Sequence, residues 1–166
     1  MQSRLSLAKP NSEALVEAVE SNPVFSLTLE SSLESVDLAE QSTLRYTEAV
    51  GFEEADRYFI GLAVREIVVN AIKHGNHFDL ARKALLRLSM NGAELIIEVT
   101  DEGDGFRLED VPDPGLPENR ERRSGRGVTI AIGLMDEFVV DRNMPHGTHI
   151  RMMKRLPTRT LLETLP

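Results

Sequence analysis

Apolar and polar residues alternate from Val24 to Glu30 (Val-Phe-Ser-Leu-Thr-Leu-Glu), the period of a strand with one face buried. At Ser31 or Ser32 the period changes. Leu33, Val36, Leu38, Leu44 and Val50 recur at roughly helical spacing, Glu34 stands near the capping-box position, and Gly51 marks the stop. A second and longer helix opens at Glu53 or Glu54 and runs to about Gly75. It carries Ile60, Ala63, Ile67, Val68 and Ala71 on a side suited to a core. Lys83 to Met90 reads as a strand with Leu86, Leu88 and Met90 on one face, and Glu94 to Asp101 as its return, with Leu95, Ile97 and Val99 facing one way. Asn91-Gly92 between them is a hairpin signal. From Asp101 to about Gly127 the chain is rich in Gly, Pro and charge, and unstructured stretches of that length are usually functional or disordered. Val128 to Met135 predicts a short helix. Glu137 to Asp141 and Thr148 to Lys154 predict two strands around a turn at Pro145-His146-Gly147.

The predicted order is strand, helix, helix, strand, strand, helix, strand, strand. Tight turns between consecutive strands require antiparallel pairing. Helices collected on one face of such a sheet define an α+β fold, a two-layer α/β sandwich with a mixed, mostly antiparallel sheet. Residues 1–23 read as an N-terminal extension with a short helix over Asn11 to Ser21. Residues 24–156 form the domain, and residues 157–166 a short tail.

Composition narrows the possibilities. The 166 residues suit one domain, and with no Trp and 5% aromatics the core must rest on Leu, Ile, Val and Ala. A formal net charge of -8 disfavours nucleic-acid binding, which needs clustered Lys and Arg. The one dense basic cluster is Arg120, Arg122, Arg123 and Arg126, enough for a small anionic ligand. Absence of cysteine excludes disulfides and thiolate metal sites and fits a reducing compartment. Met1 to Asn22 lacks the apolar run of a signal peptide, and no run approaches the ~20 residues of a membrane span. A cytoplasmic protein with no membrane partner is the expectation.

Chemistry concentrates in four segments. Glu66, Asn70 and His74 lie four apart on the second helix, with Lys73 beside them. Such a row is ordinarily a solvated face; it can equally set a base next to a metal ligand. Asp101-Glu102-Gly103-Asp104-Gly105-Phe106 follows a strand. A carboxylate there can accept from a flat donor such as an amino-purine, and the glycines let backbone pass close to a ring. Ser124-Gly125-Arg126-Gly127-Val128 opens a helix whose free N–H groups and positive end favour phosphate, with Arg126 as a charge-assisted contact. Gly147-Thr148 can bring a hydroxyl near the base. Taken singly, these segments are an acidic turn, a capped helix and a β-turn.

In this order and spacing the segments resemble the GHKL ATP-binding superfamily, and within it the anti-sigma-factor serine kinases. Glu66 to Asn76 is similar to their N-box, Asp101 to Phe106 to the first glycine box, and Gly125 to Ile130 to the second; Gly133 to Phe138 and Gly147 to Met152 also fit. The resemblance covers about Val24 to Lys154. It implies a Bergerat-type fold with ATP between helices and sheet. Asn70 would hold Mg²⁺ across the phosphates, and Asp101 would bind the adenine amino group. Gly103 and Gly105 would line the base, and Gly125, Arg126 and Gly127 would hold the phosphates. Thr148 would sit near the base, and Lys73, His74 and Val128 are carried over as nucleotide-site positions within the matched motifs. Glu66 would be the general base.

Residues 107–124 would form a lid, in which Pro112, Pro114 and Pro117 restrict the conformations. The implied activity is an ATP-dependent serine/threonine protein kinase. It would act on a STAS-type anti-anti-sigma protein and bind a sigma factor, as a homodimer with the first helix near the partner surface. The competing readings are a nucleotide-gated binding module without phosphotransfer, or a kinase of a signalling scaffold that binds no sigma factor. A histidine kinase is disfavoured because residues 1–23 hold no histidine and are too short for a helical hairpin. His74 is expected to serve the helix C-terminus rather than accept phosphate. His77, His146 and His149 show no metal-ligand spacing.

Overall fold

The computed structural model describes residues 24–105, 126–143 and 145–157. Expectations for the N-terminal extension, for the lid with Arg120, Arg122 and Arg123, for Gly125 and for the end of the tail fall outside the described residues. In chain order the elements are β1 (Phe25–Glu30), α1 (Leu33–Ala49), α2 (Glu54–Asn70), a π turn (Ala71–Gly75), β2 (Lys83–Asn91), β3 (Glu94–Asp101), α3 (Arg126–Leu134), β4 (Glu137–Arg142) and β5 (Thr148–Arg155).

The five strands form one sheet in the order β1-β2-β3-β5-β4. All four pairings are antiparallel. One face packs on the helices: Leu29, Ala84, Leu86, Leu88, Leu95, Ile97, Val99, Ile150 and Met152 share a core with Val36, Ala39 and Tyr46 of α1, Ile60, Val64 and Ile67 of α2, and Val128 and Ala131 of α3. Leu86, Leu88, Leu95 and Ile97 are fully buried. Each such side chain contributes about 1.5–3 kcal/mol relative to exposure. On the opposite face Arg87, Glu98 and Arg151 stand in one cross-strand row of alternating charge, as expected of a period-2 pattern.

Two local features differ from the sequence pattern. The β2–β3 turn has Gly92 and Ala93 at its centre, since Asn91 pairs with Glu94. Gly92 takes the positive φ of +59° at the first central position, so the hairpin lies one residue later than the Asn91-Gly92 dipeptide suggests. On α1, Leu33 is 63% exposed, while Ser42, Thr43 and Thr47 are buried. Thr43 and Thr47 donate to the carbonyls of Ala39 and Thr43, at 2.8 Å each, so hydroxyls occupy a buried face without loss. Of the two serines expected to start α1, Ser32 is the N-cap, and the Ser31 hydroxyl donates to the Arg82 carbonyl at 2.7 Å.

The strand order places the site. Because β5 inserts between β3 and β4, the end of β3 lies against the start of β5, with Thr100 opposite His149. The α2 helix and its π turn pass over that same edge.

Candidate functional site

Asp101 ends β3 and is only 4% exposed. Its Oδ1 accepts the backbone N–H groups of Gly103 at 2.9 Å and Thr148 at 3.1 Å. Burial pushes the Asp101 carboxyl above its ordinary value and outweighs those two bonds, which act in the opposite sense. The Thr148 side chain also favours the ionised carboxylate, yet its buried hydroxyl is out of hydrogen-bonding geometry with any described partner.

Backbone walls in this carboxylate. A Cβ on Gly75 would lie 2.7 Å from the Asp101 Cγ, and one on Gly103 would collide with the Gly75 backbone. Gly147 adopts φ +101°, open only to glycine without strain, and a side chain there would strike the Asp101 carbonyl. That carbonyl accepts from Asn143 Nδ2 at 2.8 Å, and the Asn143 N–H donates to the Gly147 carbonyl at 3.1 Å. Gly105 closes the wall, 3.1 Å from the Gly147 oxygen as measured from an added Cβ. Gly75, Asn143 and the wall role of Gly147 were not legible in the sequence. Asn-x-x-x-Gly within a turn is the one signal that was present, and it has no fixed meaning.

The other end of the site is built on α2. Glu66 and Asn70 keep the regular four-residue step of an α-helix. The chain then changes to a π turn, closed by the Asn76 N–H on the Ala71 carbonyl five residues back, at 2.7 Å. The wider turn breaks the row, so His74 does not stand in line below Asn70. Irregularities of this kind often mark functional sites. Lys73 and His74 are exposed, and among the described residues neither forms a hydrogen bond or ion pair. Partial desolvation, followed by the nearby Lys73 and His77 charges, holds His74 below the usual imidazole value, so it is neutral at pH 7.

Asn70 Nδ2 is buried and has no hydrogen-bond partner among the described residues. An amide left in that state costs on the order of 1–3 kcal/mol, which suits a group held ready for a ligand. No cluster of three His, Cys, Asp or Glu exists among the described residues. The orphaned Nδ2 is a donor and suits a phosphate oxygen, while a hard cation would be held through Oδ1 of the same amide together with phosphate oxygens; a carboxylate cage is not at hand among the described residues. Gly127, in the first turn of α3, is pressed onto the Glu66 carboxylate: an added Cβ would collide with Oε2 and lie 3.3 Å from the Glu66 Cβ. The Val128 side chain is buried in the core, so only its backbone remains to face a ligand.

The structure thus groups the sequence-predicted residues in two sets: Asp101, Gly103, Gly105 and Thr148 around the buried carboxylate, and Glu66 with Gly127 at the start of α3, where Arg126 is exposed, Asn70 following one helical turn after Glu66. The π turn joins them, since it follows Asn70 directly and ends on Asp101.

A sequence profile described as "Histidine kinase-like ATPase domain" matches residues 29–154. The chain belongs to that family, a class of ATP-binding domain. Within it the chain falls in the anti-sigma-factor kinase subgroup. It is 36% identical over 101 residues to the Anti-sigma F factor of Clostridium perfringens, a match covering 60% of this chain and 72% of that protein. It is 33% identical over 99 residues to the Anti-sigma F factor of Bacillus subtilis, covering 58% of this chain and 68% of that one. Its fold is shared by the crystal structure of the RsbU and RsbW domains of Rv1364c from Mycobacterium tuberculosis, with TM-score 0.60, 19% identity and 81% of this chain covered. The match spans 32% of that longer chain. No described helix is long and apolar enough to cross a membrane.

Proposed function

We propose that the protein is an ATP-dependent serine/threonine protein kinase that acts as an anti-sigma factor. It phosphorylates a STAS-type anti-anti-sigma protein and binds a sigma factor in the alternative state. One observation carries the reading. A single helix presents Glu66 under Gly127 at the start of α3 and Asn70 one turn further on, and its π turn ends on the buried carboxylate of Asp101. A base-recognising group and a phosphate-handling group are thereby held on one strut.

In this mechanism Asp101 accepts the exocyclic N–H of adenine, and the backbone of Gly103 and Gly105 passes beside the ring. The N–H groups that open α3 hold phosphate oxygens at the positive end of the helix, with Arg126 and Gly125 beside them. Asn70 would hold Mg²⁺, which would supply neutralisation of triphosphate charge. Phosphoryl transfer is mainly positioning and charge stabilisation, so this set suffices. Glu66 takes the proton from the incoming serine or threonine hydroxyl, a contribution worth about 10²–10⁴-fold. The resemblance to anti-sigma factors supports a homodimer acting in the cytoplasm, with neither nucleic acid nor membrane as a direct partner.

The test uses Glu66→Ala with Mg-ATP and a purified STAS-type protein. Phosphotransfer should fall by about 10²–10⁴-fold, with ATP affinity nearly unchanged. If wild-type protein binds ATP and both partners but transfers no phosphate, the chain is a nucleotide-gated binder instead.

A further inference from the structure

Asn76 is fully buried, an unusual place for asparagine, and the mechanism above gives it no task. All of its polar side-chain atoms are engaged in ties between separate parts of the fold. Its Nδ2 donates to Ser31 Oγ at 3.0 Å, and that hydroxyl donates onward to the Arg82 carbonyl at 2.7 Å. Its Oδ1 accepts the N–H of Glu102, the residue after Asp101, at 3.0 Å. Its own N–H closes the π turn. One carboxamide therefore fastens the end of the Glu66/Asn70 helix to the end of β3 and to the β1–α1 turn.

That junction needs a fastener. Gly75 lies on the Asp101 carboxylate and Gly103 lies on Gly75, so backbone meets backbone at van der Waals contact. Such contacts set a minimum distance without holding the two segments together. Two further side-chain ties run from residues 77–82 to this end of β3 among the described residues, His77 Nε2 to Asp104 Oδ2 at 3.4 Å and Arg82 Nη1 to Asp104 Oδ1 at 3.8 Å, and both are long and solvent-facing. Asn76 acts one residue beyond Gly75 and binds one residue beyond Asp101, so it sets both the distance and the angle between helix and carboxylate.

We propose that Asn76 is a positioning residue for purine selection: it touches no nucleotide, and it holds Asp101 where an adenine amino group, and no other substituent, meets the carboxylate. The inference rests on the reading of Asp101 given above. Hypoxanthine carries an oxygen where adenine carries the amino group, so the ratio of dissociation constants for Mg-ITP and Mg-ATP reports where Asp101 stands.

The experiment measures both constants by calorimetry on the full chain, for wild type, Asn76→Ala and Ser31→Ala. Asn76→Ala should lower the ITP-to-ATP ratio by about tenfold, the scale of one misplaced buried hydrogen bond. Ser31→Ala removes only the far side of the network; it should lower the melting temperature and leave the ratio intact. If Asn76→Ala does not fold, Asn76→Ser, whose hydroxyl is too short to reach the Glu102 N–H, carries the same expectation. A wild type that prefers ATP, with the same ratio in the Asn76 variant, overturns this proposal alone. A wild type without preference removes the base role of Asp101 and this proposal with it.

Discussion

The two ends of the site are finished to different degrees. At the proposed base end the carboxylate of Asp101 already has two N–H donors and is enclosed by the backbone of Gly75, Gly103 and Gly147. At the proposed phosphate end the Asn70 amide nitrogen is buried with no described partner, and Glu66 meets Gly127 through packing. A closed wall favours shape selection, because the ligand meets groups that need no rearrangement. An amide with unspent hydrogen-bonding capacity favours affinity that appears only when phosphate and metal arrive together. The comparison predicts that damage at the base end changes which nucleotide binds, while damage at the phosphate end changes how strongly Mg²⁺ matters.

The largest expected effect comes from Gly103→Ala. The new methyl has nowhere to go except into the Gly75 backbone, and overpacking of this kind costs about 1–3 kcal/mol. Calorimetry should find ATP affinity reduced by about a hundredfold or more, since such a displacement misplaces every contact to the base. Near-normal affinity would mean that the base end is not the rigid wall described.

Asn70→Ala should separate the ends most cleanly. Mg-ATP affinity is expected to fall by about ten- to a hundredfold, the value of one or two charge-assisted contacts. The ligand-free protein should hold or gain melting temperature, because an unsatisfied buried amide is removed. A variant destabilised without nucleotide would show that Asn70 serves the fold.

The smallest effect concerns pH. Burial raises the Asp101 pKa in the folded state, so folding favours the protonated acid. The associated stability is fully present below the unfolded value of about 3.9 and is lost as pH rises through the higher folded value. At neutral pH the ionised carboxylate therefore weighs against the fold. Asp101→Asn should melt a few degrees higher than wild type at pH 7, and the gap should close on acidification to pH 4. The same variant should lose ATP preference. A gap that widens on acidification would contradict the burial argument.

Much of this was legible in the chain. The Glu66–Asn70 step, the strand ending in Asp101 and the helix that carries Gly127 in its first turn follow from periodicity and spacing. Those are local properties. What stayed hidden depends on contacts between distant segments. The π turn looks like ordinary helix in sequence, since Ala71 to Gly75 contains no breaker until its last residue. Gly147 and Gly75 read as turn residues, and their need to lack a side chain comes from Asp101, far away along the chain. Val128 sits in a nucleotide motif and still points into the core. On α1 the periodic Val36 is buried as its spacing predicts, while Ser42, Thr43 and Thr47 extend the buried face beyond the apolar positions, each Thr satisfying itself on its own helix.

Insertion of β5 between β3 and β4 has a consequence for folding. The N–H that Thr148 gives to Asp101 comes from 47 positions further along the chain, and the barrier at Gly147 stands one residue before it. Enclosure of the carboxylate therefore waits on a long-range contact, whose loop-closure entropy opposes it until β5 has paired with β3. The recess is in this way a late product of folding, finished after the local helices and the β2–β3 hairpin can already stand.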